Sequence, residues 1–179
     1  MIDNQGKIKI GVIDDHQLFI QGLIQLIQFL GSEYDVIISA SRGEDFLKKI
    51  KANETPDLVL LDIEMPQMNG YETATLLREQ HSCIKVIVIS MNEEETDLIK
   101  MLKLGVRGFL NKDVDPNELK RAIDSVITKG YHYTDRLAGR LISILQNDDE
   151  EPTISNNELI YIKLACSEDL IKLLPIKCV

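Results

Sequence analysis

Five side chains in this sequence can bind a divalent cation or a phosphoryl group, and each follows closely on an aliphatic run. They are two adjacent acids, a third acid, a hydroxyl and an amine: Asp14, Asp15, Asp62, Ser90 and Lys112. A few carboxylate oxygens suit Mg2+, which keeps several waters and bridges to phosphate oxygens. Electrostatic stabilisation of the transferred group is most of what phosphoryl transfer requires of a protein. These residue types therefore predict a site that holds a phosphoryl group on a carboxylate.

The aliphatic runs predict the strands that would bring these side chains together. Residues 58–61 are Leu-Val-Leu-Leu, a continuous run typical of a parallel strand covered by helices on both faces. Parallel strands place their carboxyl ends at one edge of the sheet, where open α/β sheets bind ligands. Three carboxylates crowded at that edge repel one another, and burial raises their pKa values unless a cation intervenes.

Strands and helices alternate through the first part of the chain. We predict strands at 7–13, 36–40, 58–61, 84–89 and 109–110, and helices at 17–30, 43–51, 71–80, 93–104 and 116–128. Alternation at this spacing indicates right-handed crossovers and a parallel sheet with helices on both faces. Periodicity does not reveal the order of the strands.

Composition limits the class of protein. The chain has 179 residues and a net charge of −9, which opposes non-specific binding to nucleic acid. No run approaches the ~18–20 apolar residues of a membrane span, and the first residues lack the basic start and apolar core of an export signal. The three cysteines show neither a disulfide framework nor zinc-ligand spacing, which suits a reducing compartment. We therefore expect a cytoplasmic protein without a membrane segment.

The joint pattern resembles the receiver domain of two-component response regulators. The resemblance spans roughly residues 7–128, and its most specific elements are the stretch from Asp62 to Pro66 and Gly70. It implies a flavodoxin-like, doubly wound sheet of five parallel strands in the order 2-1-3-4-5. It also implies a signalling protein, not a dedicated enzyme, which takes a phosphoryl group from a sensor histidine kinase and loses it slowly to water.

The same resemblance assigns a role to each site residue. Asp62 is the implied phosphoacceptor. The implied Mg2+ ligands are Asp15, Asp62 and the backbone carbonyl of Glu64, with Asp14 placing the metal or its waters. Ser90 and Lys112 are implied to contact the phosphoryl oxygens, and Ser90 also acts with Phe109 as the conformational switch. His16, beside the acid pair, is either a metal ligand or, more simply, a solvated residue at a helix start.

Two neighbours of these residues depart from the family pattern. Met91 follows Ser90 where many receivers have a small residue, so its bulk can narrow access to Asp62. Asp113 follows Lys112 where the family usually has a proline with a cis bond, and a non-proline cis bond costs ~2.5–4 kcal/mol.

The rest of the chain changes character. The residues after Gly130 resemble the NarL/LuxR branch, in which the receiver is joined to a helix-turn-helix domain. We expect a receiver at 1–128, a helix and acidic linker at 129–152, and a remnant of the helix-turn-helix domain at 153–179. Residues 130–179 hold five Lys/Arg against eight Asp/Glu, whereas a DNA reader is normally basic. The sequence therefore predicts a truncated output region with no DNA-binding residues and no recognition helix.

The sequence pattern has three functional interpretations. The leading interpretation is a phosphorylation-switched regulator, with a phosphorylation-dependent homodimer as one possible output. The second is a transcriptional regulator that still binds DNA despite the short tail. The third is a haloacid-dehalogenase-type phosphatase, which also uses an aspartate after a strand but needs a second aspartate two residues on, where this chain has Glu64.

Overall fold

The computed structural model describes residues 6–52, 55–91 and 95–133, and its centre is one parallel sheet. The strands are β1 (Ile8–Ile13), β2 (Tyr34–Ala40), β3 (Leu58–Leu61), β4 (Lys85–Ser90) and β5 (Gly108–Asn111). Their order across the sheet is β2-β1-β3-β4-β5, and every neighbouring pair is parallel. The predicted doubly wound α/β fold and its implied strand order are confirmed.

Five helices connect and cover the strands. They are α1 (Gln17–Leu30), α2 (Gly43–Ala52), α3 (Gly70–Gln80), α4 (Glu95–Lys103) and α5 (Pro116–Lys129). Asn69 and Glu72 form a reciprocal capping box at the start of α3. Asp115 caps α5 by accepting from the N–H groups of Asn117 and Glu118.

The core lies on both faces of the central strands. All four residues of β3 are at most 1% exposed, as the uninterrupted aliphatic run predicts. On one face, the apolar stripes of α1 and α5 meet over the sheet, with Ile20, Leu23, Leu119 and Ile123 among the buried side chains. Burial of one aliphatic side chain contributes about 1.5–3 kcal/mol to stability. These stripes therefore anchor α1 and α5, the helices that follow β1 and β5, against the sheet.

Several element boundaries differ from the sequence prediction by one or two residues. Strand β2 begins at Tyr34, two residues earlier than predicted, because the Ile8 N–H donates to the Glu33 carbonyl and the Tyr34 ring is buried. Cys83 is disulfide-bonded, contrary to the expectation of reduced thiols.

The chain divides into two units after His132. The predicted helix, acidic linker and helix-turn-helix remnant of the second unit lie outside the described residues. Within the described part of the chain, every helix is too short or too polar to cross a membrane.

Candidate functional site

The carboxyl edge of the sheet gathers the predicted site residues. Main-chain hydrogen bonds set their positions: the Asp62 N–H donates to the Ile13 carbonyl (2.9 Å), and the Lys112 N–H donates to the Ser90 carbonyl (2.9 Å). Asp14 leaves β1 at the same level, and its N–H donates to the Ala40 carbonyl of β2 (3.2 Å). The pairing of the strands therefore brings together residues that are far apart in sequence.

Lys112 is the centre of a buried ion-pair network. Its Nζ lies 2.7 Å from Asp14 Oδ2 and 2.8 Å from Asp62 Oδ2. The Lys112 side chain is 7% exposed and both carboxylates are 2% exposed. Removing these charges from water is costly, so the short contacts are what allow them to remain ionised.

The pKa values of Asp62 and Lys112 reflect both the cost of burial and the gain from the ion pair. Burial raises the pKa of Asp62, and the nearby charge of Asp14 raises it further, although the hydrogen bond from Lys112 acts in the opposite direction. For Lys112, burial lowers the pKa, but hydrogen bonds and charge interactions with Asp14 and Asp62 exceed that effect and raise it overall. Lys112 thus stays protonated, while Asp62 is a carboxylate of increased basicity.

Asp14, Asp15, His16 and Asp62 form the group that could hold a metal ion. One ligand atom from each lies within 4.8 Å of the others. Asp15 Oδ1 is buried and has no hydrogen-bond partner among the described residues, although His16 Nδ1 lies 3.0 Å away without hydrogen-bond geometry. A buried carboxylate oxygen without a donor, beside two other carboxylates, fits a hard divalent cation that prefers oxygen ligands.

His16 itself is mainly a solvent-facing residue. Its side chain is 69% exposed, and its backbone N–H donates to Asp14 Oδ1 (2.8 Å) as α1 begins. This arrangement agrees with the simpler of the two sequence interpretations, a histidine at a helix start. On the opposite side of the site, the Glu64 N–H makes a long hydrogen bond to Asp62 Oδ1 (3.4 Å).

Ser90 and Phe109 lie on adjacent strands and are both buried, at 2% and 1% exposure. Phe109 pairs with Val88, and Ser90 pairs with Asn111, which places Ser90 two residues nearer the carboxyl edge than Phe109. The Phe109 ring is therefore already inside the protein in this structure.

The structure accommodates Met91 and Asp113, the two departures from the family pattern, without distortion of the backbone to a cis bond. Met91 is 59% exposed, so most of its side chain extends into solvent. The Lys112–Asp113 bond is trans, as are all peptide bonds of the described residues. The loop is held instead by Asn111, whose Oδ1 accepts from the Asp113 N–H (2.9 Å).

Gly70 and Phe19 contribute to the site in ways that the strand-end pattern did not reveal. A Cβ at Gly70 would lie 2.4 Å from the Asp62 carbonyl oxygen and 2.6 Å from the Ile63 Cα, so only glycine fits there. The Phe19 ring faces Lys112, with its centroid 4.9 Å from Nζ. The sequence pattern marks Gly70 only as an element of the family resemblance. It gives no signal for Phe19, because the contact with Lys112 depends on where α1 lies in the folded protein.

Comparison with known proteins defines the class. The family of response regulator receiver domains matches residues 10–124, so the chain belongs to that family. This confirms the resemblance to the receiver domain, which is a different family from the haloacid dehalogenases.

Individual relatives place the chain near the NarL and DegU regulators. It is 32% identical over 165 residues to the transcriptional regulatory protein DegU of Brevibacillus brevis, covering 89% of this chain and 69% of DegU. It is 38% identical over 122 residues to the nitrate/nitrite response regulator NarL of Escherichia coli, covering 68% of this chain and 56% of NarL. The chain thus matches little more than half of NarL, and its relatives are regulators rather than metabolic enzymes.

Solved structures support the same assignment. The signal receiver domain of NarL from Mycobacterium tuberculosis superimposes with a TM-score of 0.62 at 33% identity, over 68% of this chain and 98% of that one. A second match comes from the complex of CheX, CheY, beryllium fluoride and Mg2+ of Borrelia burgdorferi. It gives a TM-score of 0.63 at 25% identity and covers 69% of this chain and 97% of the matched chain.

Proposed function

We propose that Asp62 accepts a phosphoryl group from a sensor histidine kinase in a Mg2+-dependent reaction, and that the phosphorylated domain changes its association to control an output such as transcription. The observation that carries this proposal is the position of Lys112 Nζ, 2.7 Å from Asp14 and 2.8 Å from Asp62. A cation in that position can stabilise the charge that develops on a phosphoryl group attached to Asp62.

Asp62 is the best nucleophile among the three acids. Asp14 is engaged at both oxygens, by Lys112 at Oδ2 and by the His16 N–H at Oδ1. Asp62 binds Lys112 through Oδ2, while its Oδ1 accepts, from the described residues, only the long hydrogen bond from the Glu64 N–H. Burial raises the pKa of Asp62, and a more basic carboxylate is a stronger nucleophile once it is ionised.

The proposed step forms one bond and breaks one. A carboxylate oxygen of Asp62 attacks phosphorus, the P–N bond of the kinase phosphohistidine breaks, and the imidazole nitrogen keeps the electron pair. Lys112 and Ser90 then contact oxygens of the phosphoryl group, and Lys112 exchanges a carboxylate partner for a phosphoryl oxygen. Later attack by water on phosphorus returns Asp62 to the carboxylate.

The metal site is proposed from the same residues. Asp15, Asp62 and the Glu64 carbonyl would hold Mg2+, with Asp14 orienting it or its waters. When bound, the cation would neutralise charge on the acids and on the phosphoryl oxygens. Asp15 supports this assignment, because its buried Oδ1 accepts no hydrogen bond from the described residues.

Ser90 and Phe109 are the proposed switch. Phosphorylation adds roughly −1.5 to −2 charges next to Ser90 and Lys112. Shifting a population from 1:99 to 99:1 takes about 5.5 kcal/mol, and two charge-assisted hydrogen bonds of roughly 1.5–3 kcal/mol each are of that order. Because Phe109 is already buried here, phosphorylation would stabilise the inward ring against an outward alternative.

The chemical test is a phosphate adduct. The full chain is incubated with Mg2+ and a small acyl-phosphate donor, and its intact mass is measured. We expect one adduct in the wild type and in Asp57→Asn, and none in Asp62→Asn. Asp57 is a matched control because it precedes β3, the strand that Asp62 follows, and binds the Lys9 N–H (2.9 Å). An adduct that persists in Asp62→Asn would refute the assignment.

The output has a separate test. Size-exclusion chromatography with light scattering, with and without beryllium fluoride as a phosphoryl mimic, measures association. We expect a larger species only with the mimic and Mg2+. Titration with promoter-length DNA at low salt tests the alternative of a DNA-binding regulator, and sequence-selective binding would favour it over self-association.

A further inference from the structure

The lysine at the centre of the site is held from two directions. Asp14 and Asp62 accept its hydrogen bonds on one side. The Phe19 ring faces the same ammonium group, with its centroid 4.9 Å from Nζ, and this distance lies within the ~6 Å range of a cation–π contact. Such contacts strengthen where the cation is removed from water, and the Lys112 side chain is only 7% exposed.

The position of Phe19 follows from the packing of α1. Phe19 is the third residue of that helix, and the buried residues Ile20 and Leu23 anchor the first turns against the sheet. Phe19 and Lys112 together line an open groove of about 250 Å³, whose other walls include Leu23, Ile89 and Val114. The ring and the Lys112 side chain therefore face the same groove.

A lysine needs such a restraint more than an arginine does. Its ammonium is a compact charge on a flexible four-carbon stem, without the fixed fork of a guanidinium. In the proposed reaction, Lys112 exchanges one carboxylate contact for a contact with a phosphoryl oxygen. The carboxylates then no longer fix the direction of the Lys112 side chain by themselves. Within the described part of the chain, the Lys112 ammonium group contacts two carboxylates and the Phe19 ring, and the contact with the ring is the one that does not depend on an acid.

We propose that Phe19 is a positioning residue, whose aromatic face holds Lys112 Nζ toward Asp62 and excludes water from it. The part of this proposal that concerns phosphorylation rests on the function proposed above. The part that concerns the position of Lys112 does not rest on that function, and a separate measurement tests it.

The competing explanation is that Phe19 only fills space in the groove. Phe19→Leu tests this, because leucine fills most of the volume without an aromatic face, and Phe19→Tyr keeps that face. Phe29→Leu is the matched control, since Phe29 lies on the same helix and is 85% exposed.

The first measurement is NMR of the full chain labelled on lysine, with Lys112 assigned by comparison with Lys112→Arg. In the wild type, Phe29→Leu and Phe19→Tyr, we expect upfield-shifted ε-methylene protons and a slowly exchanging Nζ ammonium. In Phe19→Leu, we expect the upfield shift to disappear and ammonium exchange to accelerate. Unchanged exchange in Phe19→Leu would overturn the proposal.

The second measurement is the rate of phosphorylation at saturating acyl phosphate and Mg2+. We expect Phe19→Leu to be roughly fivefold slower, the ratio that corresponds to about 1 kcal/mol, and Phe19→Tyr to recover the rate. The Mg2+ concentration for half-maximal rate should not change, because Phe19 is not among the residues that would bind the metal. An unchanged rate beside altered ammonium exchange would overturn the link to phosphorylation. If no variant, including the wild type, were phosphorylated, the proposed function would fail while the NMR comparison still decided the role of Phe19.

Discussion

Lys112 Nζ donates a 2.8 Å hydrogen bond to Asp62 Oδ2, across fifty positions of sequence and from the end of β5 to the end of β3. Both side chains are buried, so neither charge can be removed without affecting the other. This pair, with Asp14 as the second acceptor, links the stability of the fold to the chemistry of the site.

Substitution of Asp62 should stabilise the protein at neutral pH. Burial raises the pKa of Asp62 in the folded state above its value in the unfolded chain. At a pH above both values, the ionised carboxylate therefore lowers the free energy of unfolding. As the pH falls through the folded-state pKa, the carboxylate is protonated and this loss of stability disappears. Asp62→Asn can still accept from Lys112, so we expect a melting temperature roughly 3–5 °C higher at pH 7 without metal. The gain should vanish toward about pH 4.

Thermal melts from pH 4 to pH 7 in chelator test this expectation, with the exposed Asp35→Asn as the control. A lower melting temperature for Asp62→Asn at pH 7 would mean that the bond to Lys112 outweighs the cost of burial.

Removal of Lys112 should have the opposite effect. Lys112→Met leaves two buried carboxylates without their cation, and breaking a buried pair in this way typically costs about 3–5 kcal/mol. Lys48→Met is the control, because Lys48 is 73% exposed and its ion pair with Asp45 should contribute less than about 1 kcal/mol. Urea unfolding at pH 7 gives both values, and Asp62→Asn should partly rescue Lys112→Met. Equal losses in the two lysine variants would show that the network does not stabilise the fold.

Mg2+ should raise the melting temperature. With three carboxylates near one lysine, cation binding reduces repulsion and favours the folded state by mass action, by about 2.7 kcal/mol at a hundredfold excess over the dissociation constant. Asp15→Asn should lose most of this effect, whereas Asp35→Asn should keep it. Melts at constant ionic strength separate binding from screening. An unchanged melting temperature at saturating Mg2+ would show that the acids do not share a metal.

Two glycines should respond to alanine in opposite directions. Gly70→Ala places a Cβ against the backbone of Asp62 and Ile63, which cannot yield easily, and overpacking of this kind costs about 1–3 kcal/mol. Gly22 lies inside α1 with nothing within 4 Å of an added Cβ, so Gly22→Ala should stabilise by about 0.5–1 kcal/mol. Chemical unfolding of both variants is the measurement. A neutral Gly70→Ala would show that the loop after β3 can move away from α3.

Much of the fold follows from local pattern. The aliphatic run at 58–61 predicts a doubly covered strand, and the observed strand is fully buried. The capping pair Asn69 and Glu72 is also visible in sequence, since a short polar residue followed three positions later by glutamate marks the start of a helix. Such signals are readable because they depend on residues within one turn or one strand of each other.

The sequence by itself thus determined the alternation of strands and helices, the acids at the strand ends, and Asp62 as the central carboxylate. Only the tertiary structure decided that Lys112 bonds Asp14 and Asp62 while Asp15 Oδ1 accepts no hydrogen bond from the described residues. It also decided that Phe19 faces Lys112. The physical reason is that these contacts depend on the pairing of β1 with β3 and of β4 with β5, and on how α1 packs beside them. Periodicity along the chain specifies which face of an element is buried, but not which distant side chain it meets.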